Sequence, residues 1–367
     1  MDRRDFVRNL GLTALAGGGL AACGREGEGD GAPGGQTQQT HEWRMVTTWP
    51  ENFPGMGTGA EQLAKRIQEM SGGRIRVTVY AAGKLVPAFE SFEAVADGTA
   101  QMGHGAAYYW KGKSKAAQFF SAVPFGFTAQ EMNAWLYHGG GMELWEETYA
   151  EFGLIPMAAA NTGVQMAGWF NRPINDVDDL KGLKMRIPGL GGEVLEQLGG
   201  SPVNLPGGEI FTALQNGTID ATEWVGPWND LAFGLHKAAD YYYYPGWHEP
   251  GTTLEAFVNR EAFEALSDDL RAIVRAACQA ANLDLLSEFT ARNHEALETL
   301  RDEGVEIRRL PDDALTALRE TSEEVVAGIA GDSDLAGRIH DSYRRFRERV
   351  VAWHDISERA YLNARSG

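Results

Sequence analysis

The feature that most constrains the fold is a strand–helix–strand–helix–strand series in the first third of the chain. Residues 43–48, 74–80 and 100–106 have the composition of strands, and residues 74–80 alternate apolar and polar side chains like a half-buried strand. Residues 60–70 and 89–96, which lie between them, predict helices. Because strands joined through helices run parallel within one sheet, this order predicts the α/β fold class.

A second series of strands and helices follows and predicts a second lobe. Strands are expected at residues 155–160, 164–170, 183–187, 219–224, 239–244 and 252–258. Helices are expected at residues 190–198, 208–215 and 227–235. Extended structure that returns this late is typical of two lobes joined by crossing segments. We assign residues 42–160 mainly to a first lobe, 161–258 mainly to a second, and 259–332 to a helical return to the first.

The last part of the chain predicts a long C-terminal helical segment. From Ser267 onward the pattern is almost entirely helical, with a short strand at residues 305–307. Residues 333–367 predict a charged, amphipathic C-terminal helix. Its apolar stripe consists of Ile339, Tyr343, Phe346, Val350, Trp353 and Ile356. Two interpretations stay open: the helix packs across both lobes, or it is an arm that forms a homodimer.

The N-terminus has the features of an export signal. Arg3-Arg4 followed by Asp5-Phe6-Val7 resembles a twin-arginine signal, and the apolar run that follows is too short to span a bilayer. The run ends in Leu20-Ala21-Ala22-Cys23, which resembles a lipobox in which Cys23 is lipidated. Residues 1–23 are therefore predicted to be a signal. Residues 24–41 have no large apolar side chain and predict a flexible tether. The expected location is the periplasm, tethered by Cys23 or, without lipidation, free.

Charge and catalytic motifs narrow the class of function. The net charge of −18 argues against a nucleic-acid partner, because binding phosphates needs a basic face. With Cys23 assigned to processing, Cys278 has no disulfide partner and predicts a buried structural thiol. Residues 55–60 match a dinucleotide-binding pattern, but residues 49–54 separate them from the preceding strand. His294-Glu295 lacks the second histidine of a zinc protease. We therefore predict that the protein is not an enzyme.

Arg186 is the most informative single residue of the sequence. It lies at the carboxyl end of the strand at residues 183–187, and Pro188-Gly189 then precedes a helix. Open α/β sheets bind ligands at the carboxyl ends of their strands, and helix N-termini favour anions. A planar guanidinium at this place can hold a carboxylate through two hydrogen bonds. The alternative, a solvated or salt-bridged arginine of the strand, stays open from this pattern alone.

Three other segments place polar groups at strand ends among aromatic residues. Asn161-Thr162-Gly163-Val164-Gln165 offers amides in a tight turn, and Asp220-Ala221-Thr222-Glu223-Trp224 ends in a carboxylate and a large ring. A second carboxylate, Glu249, lies in residues 244–250, where proline and glycine residues interrupt regular secondary structure. Two carboxylates close together repel each other unless a metal ion or a cationic ligand neutralises them. Ligands that are all oxygen indicate a hard ion and not zinc.

At these residues the sequence resembles the DctP-type solute receptors of tripartite ATP-independent periplasmic (TRAP) transporters. The resemblance is to the subgroup that binds 2-oxo or 2-hydroxy monocarboxylates with a metal ion, and it runs from Trp43 to about Leu362. It rests on residues 43–50, 83–87, Asn161-Thr162-Gly163-Val164-Gln165, Lys184-Met185-Arg186-Ile187-Pro188-Gly189, Glu223-Trp224-Val225-Gly226-Pro227 and Trp247-His248-Glu249-Pro250-Gly251-Thr252.

The resemblance implies a two-lobed receptor that closes on its ligand and delivers it to a membrane permease. In this family's pattern Arg186 takes the ligand carboxylate, and Gln165 contacts both ligand and metal. Glu223, the backbone carbonyl of Trp224, and Glu249 complete the metal site. The substrate-binding set is Gln165, Arg186, Trp224, Asn161, Tyr109 and Trp169, where the aromatic residues close the pocket. Family precedent favours sodium, whereas charge balance around the two glutamates favours calcium.

Several functional alternatives remain at this point. A receptor of the same fold could take mannitol, a longer dicarboxylate or a sugar acid, because the sequence does not define the volume of the pocket. A metal-assisted lyase or hydrolase that uses Glu223 and Glu249 is a second alternative, although the sequence offers no general base separate from the expected metal ligands. A signalling module that reports its ligand to a sensor is a third.

Overall fold

Strands of two sheets form the framework of residues 39–365, the part of the chain that the computed structural model describes. The strands are β1 (His41–Thr47), β2 (Ile75–Tyr80), β3 (Met102–Gly105), β4 (Leu154–Asn161), β5 (Gly168–Phe170), β6 (Lys184–Arg186), β7 (Ser201–Val203), β8 (Ala221–Thr222), β9 (Tyr241–Tyr244), β10 (Thr253–Asn259) and β11 (Glu306–Arg309). One sheet has the order β2-β1-β3-β10-β4 and the other the order β11-β9-β5-β8-β6-β7. The α/β class and the two lobes are confirmed.

Helices cover the two sheets and connect their strands. They are α1 (Gly57–Met70), α2 (Ser91–Ala96), α3 (Ala129–His138), α4 (Gly141–Ala150), α5 (Gly189–Gln197), α6 (Gly207–Gln215), α7 (Pro227–Phe233), α8 (Arg260–Glu264), α9 (Asp268–Asp302), α10 (Asp312–Ile329), α11 (Asp334–Ile356) and α12 (Glu358–Arg365). Short 3-10 helices lie at Ala88–Glu90, Ala107–Trp110, Lys115–Phe120, Val177–Leu180 and Leu235–Lys237. The sequence prediction did not include α3 and α4.

The first sheet is parallel only in part. β1 pairs in parallel with β2 and with β3, as the strand–helix series predicts. β10 pairs antiparallel with β3 and with β4, and all residues of β4 are buried. The structure therefore places residues 253–259 in the sheet of the first lobe, although the predicted boundary put residues up to 258 mainly in the second. β4 and β10 are the strands through which the chain leaves the first sheet and returns to it.

The segment 259–332 does not simply return to the first lobe. The 35-residue helix α9 packs against α1 and β4 of the first lobe and against α7, which follows a strand of the second sheet. β11 then pairs in parallel with β9 at the edge of the second sheet, and α10 packs against α5. The predicted return is therefore corrected: α9 spans both lobes, and β11 and α10 extend the second.

One face of the helix α11 is buried along the first half of the helix. Ile339 and Tyr343 are buried, and the Tyr343 hydroxyl accepts a hydrogen bond from the backbone N–H of Phe127 at 2.9 Å. Further along the helix, the side chains of Trp353 and Ile356 are 60% and 75% exposed. The beginning of the apolar stripe therefore packs on the first lobe, and its end faces outward.

Three sequence predictions concern the ends of the chain and its thiol. The signal at residues 1–23, the lipidation of Cys23 and the tether up to residue 38 lie outside the described residues. Within the described part, no helix combines the length and the apolar character needed to cross a membrane. Cys278 is buried in α9, and burial raises the pKa of its thiol to about 12, so the prediction of a structural thiol is confirmed.

Candidate ligand and cation site

The candidate site forms where the ends of β6 and β8 meet two loops. β6 and β8 are parallel neighbours with Arg186 opposite Thr222, so the residue after β8, Glu223, comes to lie beside Arg186. The loop after β4 supplies Gln165, and the loop after β9 supplies Glu249. The backbone N–H of Gln165 donates to the carbonyl of Glu249 at 3.2 Å, which fixes the two loops to each other. The carboxyl ends of the strands thus gather the charged groups that the sequence predicts.

Arg186 is a buried cation, with 1% of its surface exposed. Its Nη1 forms an ion pair with Oε1 of Glu223, and its Nε donates to the Leu205 carbonyl at 3.2 Å. Its Nη2 donates to the hydroxyl of Tyr109 at 3.4 Å, and the guanidinium lies 5.1 Å from the centre of a Trp224 ring. Burial alone lowers the pKa of Arg186, but the Glu223 carboxylate offsets this and the net shift is upward. Arg186 therefore stays charged.

Glu223 and Glu249 form a buried acidic pair around His248. One ligand atom from each of these three residues lies within 4.8 Å of the others. Oε2 of Glu223 is 3.4 Å from Nε2 of His248, and Oε2 of Glu249 accepts hydrogen bonds from Gln165 at 2.8 Å and from Thr252 at 2.6 Å. Burial, together with the negative charge of Glu223, raises the pKa of Glu249 to about 7.

The donor atoms of this cluster fit a hard cation. Oε1 of Gln165 is buried and has no hydrogen-bond partner among the described residues, so it is free to act as an oxygen ligand. It adds to the two carboxylates and to the backbone carbonyl of Trp224, which directly follows Glu223. Carboxylate, amide and carbonyl oxygens are the ligands that hard cations prefer. A cation here also offsets the repulsion between Glu223 and Glu249.

Two of the predicted binding residues, Asn161 and Trp169, contact the residues around the site. The Nδ2 of Asn161 donates to the Gly251 carbonyl at 3.1 Å, and its Oδ1 accepts from the N–H of Gly163 at 2.9 Å, so it joins two loops of the site. Trp169 stacks on Tyr242 with ring centres 4.0 Å apart, and its indole N–H donates to Asp230 at 3.0 Å. Neither side chain hydrogen-bonds to Arg186 or Glu223 within the part of the chain that is described. Tyr109 and Trp224 do contact Arg186.

Sequence reasoning missed two residues that shape the site. His248 lies in the segment 247–252 that carries the resemblance, but the sequence predicts no role for it, although its place beside Glu249 puts it next to the acidic pair. Asp230, in the first turn of α7, accepts hydrogen bonds from Tyr242 at 2.8 Å and from the backbone N–H of Val225 at 3.2 Å. Burial raises the pKa of Asp230 to about 7. Asp230 thereby fixes the backbone directly after Trp224.

Aromatic residues from the first lobe close over the site. The rings of Trp49 and Phe53, in the loop after β1, lie 6.4 Å and 6.0 Å from the ring of Trp224. Tyr109 belongs to the 3-10 helix after β3 and reaches Arg186 of the second lobe. The charged groups of the second lobe thus face aromatic side chains of the first lobe.

Comparison with known proteins places the chain in a family. Residues 45–332 match the model of the bacterial extracellular solute-binding proteins, family 7 (DctP). The chain is 44% identical to a monocarboxylate 2-oxoacid-binding periplasmic protein of Nostoc sp. over 321 residues, which cover 88% of each chain.

Two solved structures are similar over nearly their whole length. One is a TRAP periplasmic solute-binding protein from Pseudoalteromonas atlantica with bound sodium and pyruvate, at 46% identity and a TM-score of 0.86, covering 89% of this chain and 99% of that one. The other, from Colwellia psychrerythraea, has bound calcium and pyruvate, at 42% identity and a TM-score of 0.85, covering 89% and 100%. Fold, charged cleft and sequence agree, and the chain belongs to family 7 of the bacterial extracellular solute-binding proteins.

Proposed function

We propose that the protein is the periplasmic receptor of a TRAP transporter and binds a small 2-oxo or 2-hydroxy carboxylate together with a cation. The observation that carries this proposal is the buried guanidinium of Arg186 beside an acidic cluster with a free amide oxygen on Gln165. A small acid with adjacent carboxylate and 2-oxo groups can bridge such a cation and such a guanidinium. The relatives from Pseudoalteromonas and Colwellia, with bound pyruvate, support the same ligand class.

We assign to the residues the roles that the resemblance to TRAP receptors implies, and their charges and neighbours support this assignment. Arg186 holds the ligand carboxylate, and Gln165 contacts both the ligand and the cation. Glu223, the Trp224 carbonyl and Glu249 hold the cation, which when bound offsets the charge of the two carboxylates. Tyr109 and the ring of Trp224 border the guanidinium and limit the space for the ligand.

The identity of the cation is the finer part of this proposal. Two glutamates, one arginine and an anionic ligand leave two negative charges, so that a sodium ion leaves one and a calcium ion leaves none. Of the two similar structures, one contains sodium and the other calcium. We favour sodium, with calcium as the alternative, and the binding experiment includes both.

Delivery to a membrane permease is proposed to follow closure of the lobes. The contact between Tyr109 of the first lobe and Arg186 of the second crosses the cleft, as does the contact between Phe53 and Trp224. A ligand that touches both lobes stabilises the closed arrangement and shifts the equilibrium toward it. The permease then recognises the closed receptor.

Export and assembly are further parts of the proposal. A twin-arginine signal and lipidation at Cys23 would place the receptor on the periplasmic face of a membrane.

The outward-facing Trp353 and Ile356 of α11 support a homodimer that forms through the C-terminal helices. Sedimentation of the full-length protein, compared with a Trp353→Ser/Ile356→Ser variant, tests the dimer; a wild-type monomer at micromolar concentration contradicts it.

Calorimetric titration with pyruvate and lactate tests the ligand and the cation together. The protein is first depleted of metal ions and then titrated in the presence of sodium, of calcium, or of neither. We expect binding with at least one of the cations and recovery of the acid chemically unchanged, since the protein is a receptor. Absence of binding under all three conditions contradicts the proposed ligand class, and conversion of the acid contradicts the receptor role. Mass spectrometry of any acid that co-purifies names the natural ligand.

A further inference from the structure

The guanidinium of Arg186 is largely occupied by groups of the protein itself. Of its five N–H donors, Nε is bound to the Leu205 carbonyl at 3.2 Å and Nη2 contacts the Tyr109 hydroxyl at 3.4 Å. Nη1 is bound to the side chain of Glu223 and lies 3.5 Å from the Glu223 carbonyl. A carboxylate held through two hydrogen bonds needs two adjacent donors. An incoming carboxylate therefore competes with Glu223, which carries the same charge.

The carboxylate of Glu223 faces two different partners with its two oxygens. Oε1 is paired with Arg186, whereas Oε2 is 3.4 Å from Nε2 of His248 and belongs to the acidic cluster with Glu249. Glu249 has no such link to Arg186: its Oε2 is bound to Gln165 at 2.8 Å and to Thr252 at 2.6 Å. Glu223 is thus the residue that connects the ligand-binding guanidinium with the cation-binding oxygens.

We propose that Glu223 is a charge switch that holds Arg186 until the cation site fills. Paired with Arg186, Glu223 occupies the donors that the ligand needs. When Glu223 turns its charge toward the cation cluster, Arg186 becomes available for the ligand carboxylate. This inference rests on the proposed function and explains why such a receptor would need both partners at once. The coupling is reciprocal, so the acid raises the affinity for the cation by the same factor.

Direct contact between ligand and cation is a simpler source of coupling, and one substitution separates the two. Glu223→Gln removes the charge that competes for Arg186 and nearly preserves the shape of the side chain. If contact alone couples the sites, the variant without cation binds pyruvate as wild type does without cation, or more weakly. If Glu223 is a switch, the variant without cation binds pyruvate about tenfold more tightly than wild type without cation, or better. Losing an expected cation ligand then strengthens ligand binding.

Glu249→Gln is the matched control. It removes one negative charge from the same buried cluster, but Glu249 is bonded to Gln165 and Thr252 and not to Arg186. We expect its cation-free affinity for pyruvate to stay within about threefold of wild type, while both variants bind calcium or sodium more weakly. An equal gain in both variants would mean that net charge and not the pairing with Arg186 sets the affinity, and would overturn the inference.

Calorimetry of wild type with and without cation distinguishes the two possible failures. Absence of pyruvate binding to wild type with either cation contradicts the proposed function itself. If wild type binds pyruvate with cation but cation-free Glu223→Gln shows no gain in affinity, only the switch is contradicted.

A measurement on wild type covers the case in which the variant does not fold: the guanidinium ¹⁵N resonance assigned to Arg186 is followed while the cation alone is added. A shift is expected, and an unchanged resonance at saturation overturns the switch.

Discussion

The buried carboxyl groups in two regions of the molecule have different kinds of partner. In the cleft, Glu223 and Glu249 lie beside Arg186 and His248. Inside the first lobe, Glu255 of β10 is fully buried between Trp110 and Tyr149. The Trp110 indole donates to Oε1 of Glu255 at 2.5 Å, and the Tyr149 hydroxyl donates to Oε2 at 2.8 Å. Burial raises the pKa of Glu255 to about 8.

Glu255 and the carboxyl groups of the proposed site thus differ in their partners. Glu255 has neutral partners and keeps its proton near neutral pH, and its two oxygens are both hydrogen-bonded. The cleft contains a charged pair, and around it Oε1 of Gln165 and Nδ1 of His248 have no partner within residues 39–365. Buried polar atoms are nearly always paired, so unpaired ones need a reason. A raised pKa alone does not mark a functional group, because both regions have one.

The two regions are joined by the 3-10 helix Ala107–Trp110. Within this one turn, Tyr109 contacts Arg186 of the cleft and Trp110 holds Glu255 of the core. Two adjacent residues therefore connect Glu255 with Arg186. Substitutions in each region test how independent the two regions are.

The largest expected effect is the loss of ligand binding in Arg186→Ala. The substitution leaves the ligand carboxylate and Glu223 without a guanidinium, and removing one partner of a buried ion pair costs about 3–5 kcal/mol. Calorimetry with pyruvate and cation should show affinity reduced by a factor of several hundred or more. In contrast, Glu255→Gln should bind pyruvate within about twofold of wild type. Near-normal affinity in folded Arg186→Ala would remove Arg186 from the ligand site.

A smaller effect is expected in the pH dependence of stability through Glu255. The folded-state pKa of about 8 lies above the ordinary glutamate value of 4.5, so the folded protein retains a proton that the unfolded chain has lost. This contribution is fully present below pH 4.5 and is lost as the pH rises through 8, so stability falls with pH in that window. Glu255→Gln keeps neutral amide acceptors and donors at the site and should lose less stability between pH 5 and pH 9, by on the order of 2–4 kcal/mol.

Urea unfolding at pH 5, 7 and 9 measures this difference directly. Glu249 and Asp230 also have pKa values raised to about 7, and they contribute with the same sign in both proteins. The difference between wild type and Glu255→Gln therefore isolates Glu255. Parallel stability curves for the two proteins would contradict a protonated Glu255 in the folded state.

The same two regions show what the sequence could and could not predict. Arg186 and Glu223 were recognisable because each lies at the end of a strand, and parallel neighbours bring such ends together. Glu255 gives no such signal, because every residue of β10 before Asn259 is buried and no alternation distinguishes its faces. The resemblance to TRAP receptors implied that Trp169 helps to close the pocket. The pairing of β5 with β9 places it opposite Tyr242, on which its ring stacks.

Long-range pairing accounts for the errors in the lobe boundaries. β11 has only four residues, and its partner β9 lies more than 60 residues earlier in the chain. A strand this short has no pattern of its own that identifies its sheet. β10 likewise follows the second lobe in sequence but pairs with strands of the first. The sequence thus predicted whether a segment is a helix or a strand better than it predicted which strands pair with each other.

The smallest expected effect concerns an ion pair at the rim of the cleft. Lys111 directly follows the 3-10 helix that joins the two regions, and its Nζ lies 3.3 Å from Oε1 of Glu193 in α5 of the second lobe. This pair spans the two lobes, so it should favour the closed receptor. Because partly exposed ion pairs contribute about 0.2–1 kcal/mol, Lys111→Ala should release ligand up to about fivefold faster. Stopped-flow tryptophan fluorescence measures the dissociation rate.

Lys113→Ala is the matched control for this prediction. Lys113 pairs with Glu93 at 2.6 Å, and its side chain is exposed to nearly the same extent as that of Lys111, 45% against 43%. Both partners of that pair belong to the first lobe, so its loss changes surface charge without changing contact between the lobes. The ligand dissociation rate should be unaffected. If both substitutions accelerate release equally, the effect comes from the overall charge and not from a link across the cleft. A Glu193→Ala/Lys111→Ala double variant that is no faster than either single variant would locate the effect in the pair itself.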